Sequence, residues 1–396
     1  MTSRLVYSLL NQFLLVIIMF GSAAILGRLI EPSVFGIFAL LFAIHSLLFP
    51  IVDFGLTPVY IKLDIITSET KNVFFTLNII LGLIYSVLFL MITPFINQNN
   101  FFIYSLLFIL SVIIVSFNQQ PLANLARDNN QKTIMIITFL STFLSAIIAM
   151  IMAYYNFGIY ALIIQVVIQP LILNILLRFT IPYKYEFANF NSIKKYKNEI
   201  ILSSHILGSR ITNGISLSYD KFLIGKFFNM DVLGFYSKSF QLVRFPDANI
   251  STALGSPIYS YLARKTKEES KFLYSYIGNF IFFISGNLSI FLIVYGDWAI
   301  IFLLGKQWIG AAIYIKLLGI WGIGKVLHGI LIIFYTNEKI MNIFTKYSII
   351  ALVINAIVFI LSYYLFDDII TTIMYFSISN LVVWGILYMY SMYRYS

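Results

Sequence analysis

The sequence predicts an all-α polytopic membrane protein of about 12 transmembrane helices, built as two parallel six-helix repeats. Three observations carry this expectation. Of 396 residues, 60% are apolar and only 11% are charged, against roughly 25% charged in an ordinary soluble domain. Uninterrupted apolar stretches recur from end to end, each long enough to cross a hydrocarbon core about 30 Å thick at about 1.5 Å per residue. Finally, a stretch near the N-terminus, "LGRLIEPSVFGIFAL", is echoed after the midpoint by "IGKFFNMDVLGFYSK".

Polar punctuation between the apolar runs sets the elements in order. The first half carries spans at 5–29, 34–61, 73–96, 101–125, 133–155 and 157–181. The second carries them at 200–223, 232–262, 272–296, 309–335, 344–366 and 369–392. The longest polar connection, "YKYEFANFNSIKKYKNE" at 183–199, separates them. The expected organisation is thus an N-terminal six-helix lobe (1–182), a basic linker (183–199) and a C-terminal six-helix lobe (200–396). The first apolar run leads at once into another span, so it reads as an uncleaved signal anchor. With both termini and the linker cytoplasmic, most of the 26 Lys and Arg fall inside, and only Arg28, Lys226 and Lys306 fall outside. The net charge of +10 then reflects topology and anionic-lipid contact, and nothing suggests nucleic acid.

The echo extends further. Gly27 falls on Gly225, Arg28 on Lys226 and Gly36 on Gly234, an offset of 198 residues (225 minus 27). "DNNQK" between spans four and five answers "YTNEK" between ten and eleven, and "AYYNFG" answers "SYYLFD". Six spans per copy give both copies the same orientation, and transporters so built bind substrate near the midplane. The repeated glycines are expected to permit tight turns and close helix approach.

Enzyme chemistry finds no foothold. Cysteine is absent, His45, His205 and His328 are scattered, and neither a Walker loop nor a GxSxG elbow is present. The expectation is a non-enzyme without cofactor or metal, using membrane potential or proton or sodium coupling.

"ILGRLIEPSVFGIFAL…DFGL" resembles the first two spans of Wzx-type oligosaccharide flippases, in the multidrug/oligosaccharidyl-lipid/polysaccharide exporter superfamily. "SYDKFLIGKFFNMDVLGFYSKSFQLVRFP" resembles the seventh and eighth spans of its polysaccharide-transporter, colanic-acid-exporter-like branch, and "LLGKQW" that branch's Gly–Lys–Trp turn. The resemblance implies a central cavity between the lobes. It also implies alternating-access transport of polyprenyl-pyrophosphate-linked oligosaccharide across the bacterial inner membrane, for O-antigen, capsule or exopolysaccharide assembly. Partners would be that lipid-linked substrate, membrane lipids and polysaccharide polymerase machinery. The alternatives are a cation-coupled multidrug exporter of the same superfamily and a multispan polysaccharide polymerase. The first would call for a more acidic first lobe, and the second for a larger external loop or a carboxylate pair.

Charges inside a bilayer cost about 2.5–3.5 kcal/mol each on insertion scales and mark pathways. Arg210 lies about 15 Å into span seven and Arg244 about 18 Å into span eight. Lys238, Gln241 and Arg244 share one broad helical face, and Asn213 lies one turn beyond Arg210. In the functional reading, Arg210, Lys238 and Arg244 form a cationic patch for the pyrophosphate, which suits the guanidinium fork. In the structural reading they are neutralised locally, Arg244 by Asp247, and Lys221 or Lys238 by Asp220. Pro246 is expected to kink span eight. Lys325, one turn from His328, is a further cavity candidate. Asp53, in "VDFGL", either binds a coupling cation or caps broken helix ends. "SFNQQP" (116–121) either lines the cavity or packs between helices, and Tyr388, Tyr390, Tyr393 and Tyr395 read as an interfacial belt.

Overall fold

The computed structural model describes residues 2–96, 98, 100–181, 186–245, 267–337 and 340–395. Every regular element among them is helical, as backbone groups in lipid require. Ten helices among the described residues are long and apolar enough to span a membrane. Large apolar side chains such as Phe13, Val87, Met91, Phe283 and Phe302 are more than half exposed, a distribution only lipid can cover. The remaining two expected spans fall on α10, discussed below, and on residues 232–262, of which 232–245 are described and helical.

The chain forms two compact units, Met1–Phe222 and Leu223–Ser396. The first contains α1 (Thr2–Leu29), α2 (Pro32–Leu48), α3 (Pro50–Asp53), α4 (Leu56–Lys62), α5 (Ser68–Ile92), α6 (Phe101–Arg127), α7 (Gln131–Tyr154), α8 (Ile159–Thr180), α9 (Phe190–Lys195) and most of α10 (Lys197–Phe227). The second contains α11 (230–245), α12 (Lys267–Leu304), α13 (Ala312–Asn337), α14 (Met341–Phe366) and α15 (Ile369–Tyr395). The boundary lies beyond the 183–199 linker because α10 packs on α2–α4. An added Cβ at Gly214 of α10 would stand 3.0 Å from the Ser46 carbonyl oxygen.

Duplication is visible in the element ends. The breaks at 30–31 and 228–229 lie 198 residues apart (228 minus 30). Gly27, Gly36, Gly225 and Gly234 lie inside the flanking helices, not in the turns themselves. Within each unit a carboxamide ties the fourth helix of the copy to the sixth. Asn174 of α8 donates to the Asn118 carboxamide oxygen of α6 at 2.7 Å, and Asn118 donates to the Pro170 carbonyl at 2.8 Å. In the second unit Asn380 of α15 donates to the Trp321 carbonyl of α13 at 3.1 Å. Gly324 meets Asn380 and Leu381 there at close range. The Gly–Lys–Trp turn is also as expected. Gly305 takes φ 100°, a 3-10 helix (Lys306–Ala311) follows, and Trp308 is fully buried against Phe235.

The linker is strapped to the first unit. Glu186 accepts from Asn72, the Ala188 amide donates to Thr76 at 2.8 Å, and the hydroxyls of Tyr196 and Thr70 are 2.8 Å apart. Lys195 pairs with Glu69 at 2.7 Å, and that hydrogen bond raises the lysine above its ordinary pKa. These contacts gather on the first turns of α5, whose N-terminus carries a Thr67–Thr70 capping box.

Candidate functional site

The second span does not cross as one rod. Pro50 cannot continue the amide ladder of α2 and begins α3 instead. The chain then takes two consecutive left-handed residues, Phe54 (φ 52°) and Gly55 (φ 80°), before α4. Non-glycine residues pay roughly 1–3 kcal/mol for such conformations, so the surroundings must hold Phe54 in place. Asp53 does part of this. Its Oδ1 accepts from the Thr57 amide at 3.1 Å and from the Thr57 hydroxyl, capping α4. Helix α10 does the rest, since a Cβ on Gly55 would meet the Ser203 carbonyl at 2.7 Å and the Ile206 Cβ at 2.8 Å.

Asp53 Oδ2 accepts from Arg210 Nη1 of α10. Asp53 is buried, whereas the Arg210 side chain is 41% exposed. One partner is therefore sealed against the hinge while the other keeps an open face. Arg210 lies 13 residues beyond Lys197, or about 20 Å along the helix. One turn on, Asn213 is exposed. Helix α10 has 31 residues, ample to span, yet it falls outside the ten apolar spans. Ser203, Ser204, Ser209, Thr212, Asn213, Ser216 and Ser218 make it polar along most of its length. Part of that polarity is spent on packing, as the Ser218 and Ser46 hydroxyls lie 2.6 Å apart.

Below the pair, toward the N-terminal end of α10, α4 and α10 line a pocket of about 340 Å³. Its α10 wall is Asn198, Glu199, Leu202 and Ile206, and its α4 wall is Pro58, Val59, Lys62 and Leu63. Glu199 Oε2 is buried without a hydrogen-bond partner, and Lys62 is exposed. Asn198, Leu202, Ile206 and Arg210 follow at steps of four, so the pocket wall runs up one helix face to the arginine.

The other expected residues settle in several ways. Asp220 is buried and pairs with Lys221 at 3.3 Å, and Lys221 also reaches the Leu217 carbonyl. This is the structural reading of Asp220. In the second unit Lys238 reaches Gln241 Oε1 at 3.4 Å, and Gln241 is exposed. Arg244 is half-buried near the end of the described part of α11. Asp247 and Pro246 lie outside the described residues, so the expected Arg244–Asp247 pair and kink do too. Lys325 is half-buried on α13, and His328 packs edge-on against Trp384 at 4.4 Å between centroids. Lys316 pairs with Asp297. His45 meets the Tyr85 hydroxyl at 2.9 Å among Phe42, Phe49 and Phe108, an interior histidine.

In "SFNQQP", Ser116, Asn118 and Gln120 are buried, and Asn118 bonds to α8, so the packing reading holds for these three. Tyr388 packs into the interior cluster around Trp384 instead of joining an interfacial belt. Sequence reasoning missed Thr57, Lys62 and Glu199. The Asp53–Thr57 spacing of four and the ladder below Arg210 were the available signals. Among the described residues no group of three His, Cys, Asp or Glu could hold a metal ion.

The profile of the polysaccharide biosynthesis protein family matches residues 25–313, and the chain belongs to that family. The teichuronic acid biosynthesis protein TuaB of Bacillus subtilis (strain 168) is 24% identical over 284 residues, 70% of this chain and 59% of that protein. The chain thus matches about three fifths of that relative's length. Among solved structures, an inward-facing multidrug resistance MATE family transporter of the MOP superfamily superposes with a TM-score of 0.71. Identity is 11%, over 97% of this chain and 94% of that one. Lipid II flippase MurJ, in an inward closed conformation, gives 0.69 at 12% identity, over 99% and 88%. The fold is that of MOP-superfamily transporters.

Proposed function

We propose that this polysaccharide biosynthesis protein flips polyprenyl-pyrophosphate-linked oligosaccharide units outward across the bacterial plasma membrane, by alternating access and without enzymatic chemistry. The observation that carries the reading is Arg210. It is a guanidinium about 20 Å along a polar span, paired with buried Asp53 on one side while 41% of its side chain stays exposed. A diphosphate is a chemical match for it, because two N–H groups of the fork meet two phosphate oxygens. In the second unit Lys238 and Arg244 are offered as further phosphate contacts. Moving one negative charge outward gains about 2.3 kcal/mol per 100 mV of inside-negative potential. Proton or sodium exchange resets the carrier where that is insufficient. Both termini are assigned to the cytoplasm by the basic residues, and polysaccharide polymerase machinery takes the flipped unit.

A drug exporter for cationic compounds fits less well, since the buried Asp53 is already neutralised by Arg210. The test is complementation of a flippase-deficient, polysaccharide-producing strain with wild type, Arg210→Ala and Arg244→Ala at equal membrane expression. Surface polymer and cytoplasmic-face lipid-linked repeat units are measured. Loss of polymer with accumulation of unflipped units in the mutants is expected. Full activity of both mutants, or complementation of drug efflux in place of polymer export, overturns the reading.

A further inference from the structure

The geometry points to an anion-exchange site at Arg210. We propose that the diphosphate headgroup enters the cytoplasmic pocket between α4 and α10 and replaces Asp53 as the partner of Arg210. This inference rests on the flippase reading and adds to it a resident counter-ion and an approach.

Three observations combine. First, Asp53 divides its labour: Oδ1 caps α4 through Thr57, and only Oδ2 meets Arg210. Losing the arginine therefore leaves the Thr57 bonds of the cap in place, so the pair can open with the hinge loosened but still formed. Second, the exposure is one-sided. Asp53 is buried and Arg210 is 41% exposed, so an incoming anion reaches the guanidinium from its open face while the carboxylate stays in place. The Nη1–Oδ2 contact uses one edge of a five-donor group, and a diphosphate can satisfy more of it. Third, the pocket leads there. Asn198, Leu202 and Ile206 line it on the same face of α10 that carries Arg210 one turn deeper. Lys62 stands on the opposite wall, an exposed cation toward the cytoplasmic end. A cation at the mouth, an apolar wall of Pro58, Leu202 and Ile206, and a second cation beyond suit an anionic group carried on an apolar chain, while Glu199 on the α10 wall is the one opposing charge in the lining. At about 340 Å³ the pocket has room for the diphosphate and the first carbons of its chain, at the low end of small-ligand sites.

A resident carboxylate also explains why a fixed midplane cation does not hold its cargo permanently. Asp53 competes for Arg210 on every cycle, so the diphosphate is bound by difference and released when the exchange reverses.

The test is binding of inorganic pyrophosphate to the full-length protein in lipid nanodiscs, by titration calorimetry, with melting temperature recorded for each variant. Asp53→Asn keeps an oxygen to cap Thr57 and removes the competing charge, so pyrophosphate should bind at least about tenfold more tightly. Arg210→Gln should weaken it by at least as much. Leu202→Trp fills the pocket from an exposed position and leaves Arg210 in place, so binding should be lost with the melting temperature unchanged. Unchanged affinity in Asp53→Asn overturns the exchange, even where Arg210→Gln fails to fold. Wild-type affinity in Leu202→Trp overturns the pocket as the approach. Either result in a protein that complements the flippase-deficient strain sinks this inference and leaves the flippase reading standing. The expected affinity shifts in a protein that fails to export polymer sink the flippase reading alone.

Discussion

Helix α10 carries two glycines six residues apart whose surroundings differ completely. At Gly208 an added Cβ would meet nothing within 4 Å, whereas at Gly214 it would stand 3.0 Å from the Ser46 carbonyl oxygen and 3.5 Å from the Leu47 Cα. Both lie in helical backbone, so alanine gains the same helix propensity at each, about 0.5–1 kcal/mol. At Gly208 that gain is the whole effect. At Gly214 the obstacle is backbone, which cannot rotate away, and overpacking of this kind costs about 1–3 kcal/mol. Gly214→Ala should therefore be less stable than Gly208→Ala by about 2 kcal/mol. Gly55→Ala should be worse than either. Its residue must adopt φ 80°, at about 1–2 kcal/mol for an L side chain, and must also displace the Ser203 carbonyl 2.7 Å away. The measurement is reversible unfolding in mixed micelles titrated with a denaturing detergent, followed by far-UV circular dichroism. Equal stability of Gly208→Ala and Gly214→Ala would refute the packing of α10 on α2, and with it the placement of Arg210 beside Asp53.

Three further expectations concern the contacts that fix the helices and their ends. Asn174→Ala removes one interhelical carboxamide bond and Asn380→Ala removes two, to the Trp321 carbonyl and from Asn355, and each should lose about 0.6–1.7 kcal/mol per bond, the range for such bonds in bilayers; a loss in only one unit would contradict the equivalence of the copies. Arg127 donates to the Tyr60, Ile61 and Asp64 carbonyls at 3.0–3.3 Å and so closes the C-terminal end of α4. Arg127→Ala should raise proteolytic nicking of the segment at 63–67, and an unchanged digestion pattern would rule out this role. Asp368 caps α15, accepting from the Thr371 amide at 2.7 Å and its hydroxyl at 2.6 Å. Those bonds hold its carboxyl below the ordinary carboxylate value. The stabilisation is thus full above the unfolded pKa of about 3.9 and is lost as pH falls through the lower folded value. Asp368→Ala should cost about 1 kcal/mol at neutral pH and less below pH 3; a pH-independent difference would show that the cap is not the cause.

The spans were legible because lipid leaves no choice. An apolar run of sufficient length must be helical. The repeat was legible because its breaks recur at a fixed offset. The conformation of the second span was not. Pro50 and Gly55 announced an interruption, but two successive left-handed residues depend on what packs against them, and that is α10. The partner of Arg210 was hidden for the same reason. Asp53 lies 157 residues away in sequence, and no periodicity links the two. Reasoning from adjacent helices placed Arg210 with Arg244 and left Asp53 to its own helix end. For Asp220 the local rule sufficed, since its partner is the next residue. The structural readings therefore succeeded where the partner was near in sequence and stopped where it was far.

The far partner also resolves a difficulty in the seventh span. Helix α10 is long enough to cross yet carries seven small polar side chains and Arg210 along its middle, so lipid alone is a poor environment for it. What makes the position tolerable is specific: Ser46 for Ser218, the hinge backbone for the close approach at Gly55, the end of α2 for that at Gly214, and Asp53 for Arg210. Each of these is supplied by α2–α4. A span held by polar contacts that one neighbour supplies stays in place only while that neighbour keeps its shape, and here that shape includes a strained Phe54–Gly55 hinge. Helix α10 and the hinge thus form one mechanical element. Removing the charge of Asp53 should loosen that element without removing any apolar contact. Asp53→Asn should therefore raise amide hydrogen exchange in residues 203–214 and 52–57 together, and protection lost in only one of the two segments would show that they move independently.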